Sequence, residues 1–167
     1  MIVRNENASD RAGVRSVNLA AFGRSAEADL VDALREHADP IVSLVAQVEG
    51  AVVGHVLFSP VALDGHPELR LMGLGPMAVA PAHQRRGVGS ALVRVGLEHC
   101  RQLGAGAVVV LGHPWFYPRF GFAPSVRWGI RSEYRAPDEA FMLIELQPGY
   151  LQGVSGIVRY HAAFRGV

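Results

Sequence analysis

The residues with the clearest chemical promise form one run, Val79-Ala80-Pro81-Ala82-His83-Gln84-Arg85-Arg86-Gly87-Val88-Gly89-Ser90. Apolar sequence precedes it and an amphipathic stretch follows, so a strand ends, a short loop turns, and glycines open a helix. The first amides of a helix have no internal acceptor, and the helix dipole favours negative charge beside them. Glycine lets a ligand's phosphate approach such backbone closely. The spacing therefore predicts an anion site that a pyrophosphate would fill. A dinucleotide fold would need a third glycine where this chain has Leu92, and an acid where it has Gly112-His113-Pro114. A Gly-Lys-Ser/Thr phosphate loop needs lysine, and all 16 residues of the Lys and Arg class are arginine here. A purely structural turn is the alternative reading of these glycines taken alone.

The missing lysine also removes Schiff-base chemistry, while the planar fork of arginine suits phosphate oxygens. Cys100 is the single cysteine, so no internal disulfide and no cysteine-held zinc is expected. The 7 histidines show no paired ligand spacing, and no metal is expected. A formal net charge of +1 gives no footprint for nucleic acid. The longest apolar run, Ala105 to Gly112, falls far short of the ~20 residues that cross a bilayer. The opening Met1-Ile2-Val3-Arg4-Asn5-Glu6 is charged too early for a secretory signal. A cytoplasmic protein without a membrane partner is the expectation, with residues 1–167 as one domain.

These residues need elements to hold them. Ile2 to Asn5 reads as a strand, and helices follow over about 10–22 and 26–37, the second stopped by Asp39-Pro40. Ile41 to Gln47 and Ala51 to Ser59 read as a hairpin around Glu49-Gly50, ahead of a polar loop at 63–67. Arg70 to Ala80 reads as a strand that Gly73, Gly75 and Pro76 interrupt, which predicts a bulge or splay. Gly87 to Leu103 is a helix with Val88, Leu92, Val95 and Leu103 on one apolar face and Val93 and Leu97 on another. His99 falls on the apolar side and reads as core. Ala107 to Leu111 is a buried strand, which makes a strand-helix-strand unit with parallel pairing. A short aromatic helix closed by Gly121, a strand at 141–146 and a last one within 156–161 complete the chain.

Gln84-Arg85-Arg86-Gly87-Val88-Gly89 resembles the signature of the GCN5-related N-acetyltransferase (GNAT) superfamily, Gln/Arg-x-x-Gly-x-Gly/Ala at the start of the central helix. Leu74-Gly75-Pro76-Met77-Ala78-Val79 before it, and Phe116-Tyr117-Pro118-Arg119-Phe120-Gly121-Phe122 after it, look like the YhbS-like branch of that superfamily. The likeness covers essentially the whole chain. It implies an α/β (α+β) domain whose mixed central sheet, of six to seven strands, is splayed in the middle and flanked by helices. It also implies transfer of the acetyl group of acetyl-CoA to a primary amine, by direct attack in a ternary complex.

By that resemblance the pantetheine arm pairs with Met77, Ala78 and Val79, and a freed amide meets the thioester carbonyl. The pyrophosphate sits on the amides of Arg85, Arg86, Gly87, Val88, Gly89 and Ser90, next to Gln84, with the two arginines adding charge. Tyr117 stands where relatives carry a tyrosine near the sulfur, as a general acid or as plain cofactor wall. Trp115, Phe116 and Phe122 read as core. Relatives often place a glutamate on the strand before the signature, yet residues 71–80 hold no acid. Glu27, Asp29, His55, His113 and a water relay are the candidate bases. Phe22, Arg24, Glu27 and Asp29 are expected to border the acceptor site, for a small-molecule amine, a protein N-terminus or a lysine. A non-catalytic acyl-CoA sensor, an enzyme for longer or acidic acyl groups, and a homodimer all stay open at this level.

Overall fold

The computed structural model describes residues 1–167. Its elements run β1 (Ile2–Asn5), α1 (Arg11–Phe22), α2 (Ala26–His37), β2 (Val42–Val48), β3 (Ala51–Leu63), β4 (Leu71–Val79) and α3 (Val88–Gln102). Then come β5 (Ala107–Leu111), β6 (Ala123–Pro124), β7 (Ile130–Ser132), β8 (Phe141–Glu145) and β9 (Gly156–Arg159). One sheet has the order β1-β2-β3-β4-β5-β8-β6, with β9 joining β3 and β7 at the side. The expected six to seven strands become 9, because β6 and β7 are too short to show an alternating pattern. β4 and β5 pair parallel around α3, as the strand-helix-strand reading requires.

β3 runs to Leu63, past the expected end at Ser59. Pro60 has no N–H to give, and it stands just beyond Phe58, where β2 leaves that edge of the strand. The helices cover both faces. Val14, Leu30, Val31 and Leu34 of α1 and α2 pack with Val45 and Leu57 on one side. On the other, α3 buries Val88, Leu92, Val93, Leu97 and Cys100 against Leu44, Val56, Phe58 and Val110. Gly96 lets this helix sit low: a Cβ there would lie 2.2 Å from the Phe58 ring. The helix stops at Gln102, which leaves Leu103 exposed rather than on the apolar face. His99 is only half-buried, so it is not the core residue that periodicity suggested.

The predicted interruption of β4 is a bulge. Phe58 faces Leu74 and Val56 faces Met77, so Leu57 alone opposes both Gly75 and Pro76. Pairing with β5 ends at the same place, on Leu74 and Val110. Beyond it the two parallel strands part, and the sheet is open in its middle. No helix is long and apolar enough to cross a membrane.

Candidate active site

The site is built around that opening. Ala80 N–H donates to Val53 C=O at 2.8 Å. Antiparallel pairs alternate in direction, so Ala78 turns its polar groups to β3, whereas Met77 and Val79 turn theirs into the gap. The Val79 carbonyl is taken up there by the Gln84 side-chain amide at 3.1 Å, which pins the loop to the strand end. Gln84 thus holds the turn together.

After Gln84, the next backbone N–H with an acceptor in the chain is that of Ala91, which donates to Gly87 C=O. The amides of residues 85–90 therefore form a continuous row of free donors. Arg85 and Gly87 both take left-handed backbone, φ 62° and 83°, and the right-handed helix begins directly after Gly87. A left-handed residue followed by a right-handed one turns successive amides toward one point, a concavity that suits an anion. Arg85 and Arg86 are exposed and stay outside every ion pair of the chain. Val88 is buried in the core, and Ser90 is half-buried on the first turn. At Gly89 the nearest atoms a Cβ would meet belong to Phe116, Met77 and Val79, at 3.6–3.8 Å, which is ordinary contact.

On the far side of the gap lies a cavity of about 490 Å³. Leu74 to Met77 and Val110 to His113 bring the parted strands to it, and Tyr117 stands on its wall. Phe22, Glu27 and Leu30 arrive from α1 and α2, and Tyr134, Tyr160 and Phe164 from the later chain. Tyr117 is 7 % exposed, and burial pushes its phenol up to about 12, so it keeps its proton at any ordinary pH. Its ring fits because position 112 is glycine, where a Cβ would lie 2.4 Å from it. Glu27 is 6 % exposed and accepts two hydrogen bonds from the Arg24 guanidinium.

A family model for the acetyltransferase (GNAT) family matches residues 12–122. The chain belongs to that family. Among GNAT relatives, YhbS of Escherichia coli K12, an uncharacterized N-acetyltransferase, is 37% identical over 98% of both chains. YjhQ of the same organism, also an uncharacterized N-acetyltransferase, is 45% identical over 78% of this chain and 75% of its own. The crystal structure of E. coli YhbS in complex with CoA superposes with a TM-score of 0.91 at 36% identity, covering 98% of this chain and 91% of that one. A GNAT acetyltransferase from Brucella melitensis in complex with acetyl-CoA gives 0.79 at 38% identity, over 98% and 97%.

Of the residues that the GNAT resemblance assigns to the pantetheine arm, Met77 lines the cavity itself, and Ala78 and Val79 carry the strand toward the loop. Phe22 and Glu27 line the cavity with Tyr117. Asp29 does not: its side chain is 62% exposed and paired with Arg15, on an adjoining groove. His113 lines the cavity, whereas His55 is fully buried on β3, with Ser43 Oγ 2.9 Å from its Nε2. Phe122 is core and Phe116 packs against it, but Trp115 is 70% exposed and stacks on His113 instead of entering the core. Sequence reading missed Gly112, Tyr134, Tyr160 and Phe164. Only the end of a strand marked the first, and nothing local marked the three aromatics.

Proposed function

We propose that this chain transfers the acetyl group of acetyl-CoA to a primary amine of a small molecule or protein, by direct attack in a ternary complex. The observation that carries the reading is one continuous path of free backbone donors. It starts at the amides of residues 85–90, passes the open edge of β4 at Val79 and Met77, and ends in the cavity beside Tyr117. The relatives crystallised with CoA and acetyl-CoA support the same occupant here.

In this reading the amides of Arg85, Arg86, Gly87, Val88, Gly89 and Ser90 hold the pyrophosphate, and the two arginine side chains add charge. Met77 and Val79 bind the pantetheine arm as an added strand, with Ala78 keeping β4 on β3. The N–H of Met77 is the one that opens into the cavity, where it would donate to the thioester oxygen and to the oxyanion formed on attack. The amine nitrogen forms the new C–N bond, the C–S bond breaks, and Tyr117 gives its proton to the departing sulfur. The proton lost from nitrogen goes to Glu27, His113 or water, and free CoA and an amide leave. A cytoplasmic site of action accords with this co-substrate and with Cys100, a free and buried thiol.

Incubating the protein with acetyl-CoA and a broad amine panel while following thiol release tests the proposal. Amine-dependent release is the expected result. Tight CoA binding without turnover of any amine would make the chain a sensor instead.

A further inference from the structure

The cavity has a chemical bias that speaks to the acceptor. Glu27 is the one carboxylate side chain on its lining, and no arginine lines it. Arg24, which hydrogen-bonds Glu27, is not on the lining, and His113 is the one basic side chain there. The same lining carries an aromatic wall. Tyr134 and Tyr160 have ring centroids 5.8 Å apart, and Tyr160 and Phe164 lie 5.0 Å apart. Gly73 makes room for that wall, since a Cβ there would lie 3.1 Å from the Tyr160 ring. Phe22 adds a further ring at the rim, 40% exposed.

Resting on the acetyl-transfer reading, we infer that the acceptor is a small monoamine with a flat apolar body, its ammonium met by Glu27 and its body by Tyr134, Tyr160 and Phe164. An amino acid carries a carboxylate beside its amine. That group would enter next to the Glu27 carboxylate with no arginine on the lining and His113 as the only basic side chain there, and a poorly paired buried charge is disfavoured. A polyamine brings further ammonium groups to a lining on which Glu27 is the only acidic side chain. A lysine stem is apolar and singly charged, but it is thin for a space of about 490 Å³ and offers no face to stack on rings. One charge on a planar body fits both halves of the lining, and an ammonium over an aromatic face gains further attraction.

Five amines decide the matter with the intact protein and acetyl-CoA: 2-phenylethylamine, L-phenylalanine, spermidine, Nα-acetyl-lysine methylamide and tyramine. L-Phenylalanine differs from the first only by its carboxylate. The two arylethylamines should exceed the other three at least tenfold in kcat/KM, and should raise the melting temperature of the CoA-saturated protein where L-phenylalanine does not. Glu27→Gln should raise the KM for 2-phenylethylamine at least tenfold while the KM for acetyl-CoA stays put. Equal or better turnover of L-phenylalanine, spermidine or the lysine derivative would overturn the inference and leave acetyl transfer standing. An unchanged amine KM in Glu27→Gln would also overturn it. No turnover of any amine by a protein that still binds CoA would sink the acetyl-transfer reading and this inference with it.

Discussion

Tyr117 owes its place to the missing side chain at Gly112, and its protonation to burial. Desolvation raises the phenol to about 12, so the folded protein presents an O–H, not a phenolate, throughout the neutral range. A group in that state can give a proton to a leaving thiolate and cannot act as a base. Tyr117→Phe keeps the ring and its edge contacts with Phe116 and Phe122, at centroid distances of 5.0 and 5.7 Å. Turnover in this variant should fall roughly 10²-fold, the lower end for a lost general acid, while CoA affinity stays unchanged. Calorimetric CoA titration alongside thiol-release kinetics separates the two. Unaltered turnover would leave the residue as cofactor wall. The phenol should also add no alkaline limb to the pH–rate profile below about pH 11, given where burial places it.

At the scale of an element, the three glycines of α3 and its approach do different jobs. Gly87 has left-handed backbone, so any side chain there is strained before its charge matters. Gly89 has ordinary backbone and room around it, and an acidic side chain near a helix start is electrostatically tolerated. Gly89→Glu should therefore fold with near-native stability yet lose CoA binding through bulk and like charge. A thermal melt with and without CoA shows both at once, and a normal CoA shift would mean the phosphates lie elsewhere. Gly96 is a packing residue: Gly96→Ala drives a Cβ into the Phe58 ring and should cost about 1–3 kcal/mol in urea unfolding. The turn at 84–90 was legible because its glycines, its loop and its helix are neighbours in the chain. The bulge at Gly75-Pro76 was legible for the same reason. The cavity was not, since its wall draws on residues 22, 27, 30, 74–77, 110–113, 117, 134, 160, 164 and 167. Only the pairing of β9 with β3 and β7 brings the last of these to the site, and no local pattern encodes that pairing.

Across the whole molecule, one part-buried polar chain ties α2 to the first three strands. Arg35 of α2 pairs with Glu6 just past β1, Glu6 accepts from Ser43 of β2, and Ser43 meets His55 of β3. His55 pairs with Ala78, so this chain adjoins β4, the strand proposed to hold the pantetheine arm. Burial is the main reason the imidazole falls to about 4; nearby Arg35 lowers it further, and Glu6 pulls the other way. The folded protein thus keeps His55 neutral, whereas an unfolded histidine takes up a proton near pH 6.5. Above that value both states are neutral and the full stability is present. As pH falls from about 6.5 toward 4 the unfolded state binds a proton that the folded state refuses, and stability drops by about 3 kcal/mol in all. Below about 4 this group adds no further loss. Asp10, whose carboxyl the Arg4 hydrogen bond holds below its usual value, yields only in that lower range. Urea unfolding at pH 7, 5.5 and 4.5 should show the decline. His55→Gln, which can still bond Ser43, should be less stable at pH 7 but nearly flat across the same window. A variant with the native slope would place the acid sensitivity in other groups and leave this polar chain as inert packing.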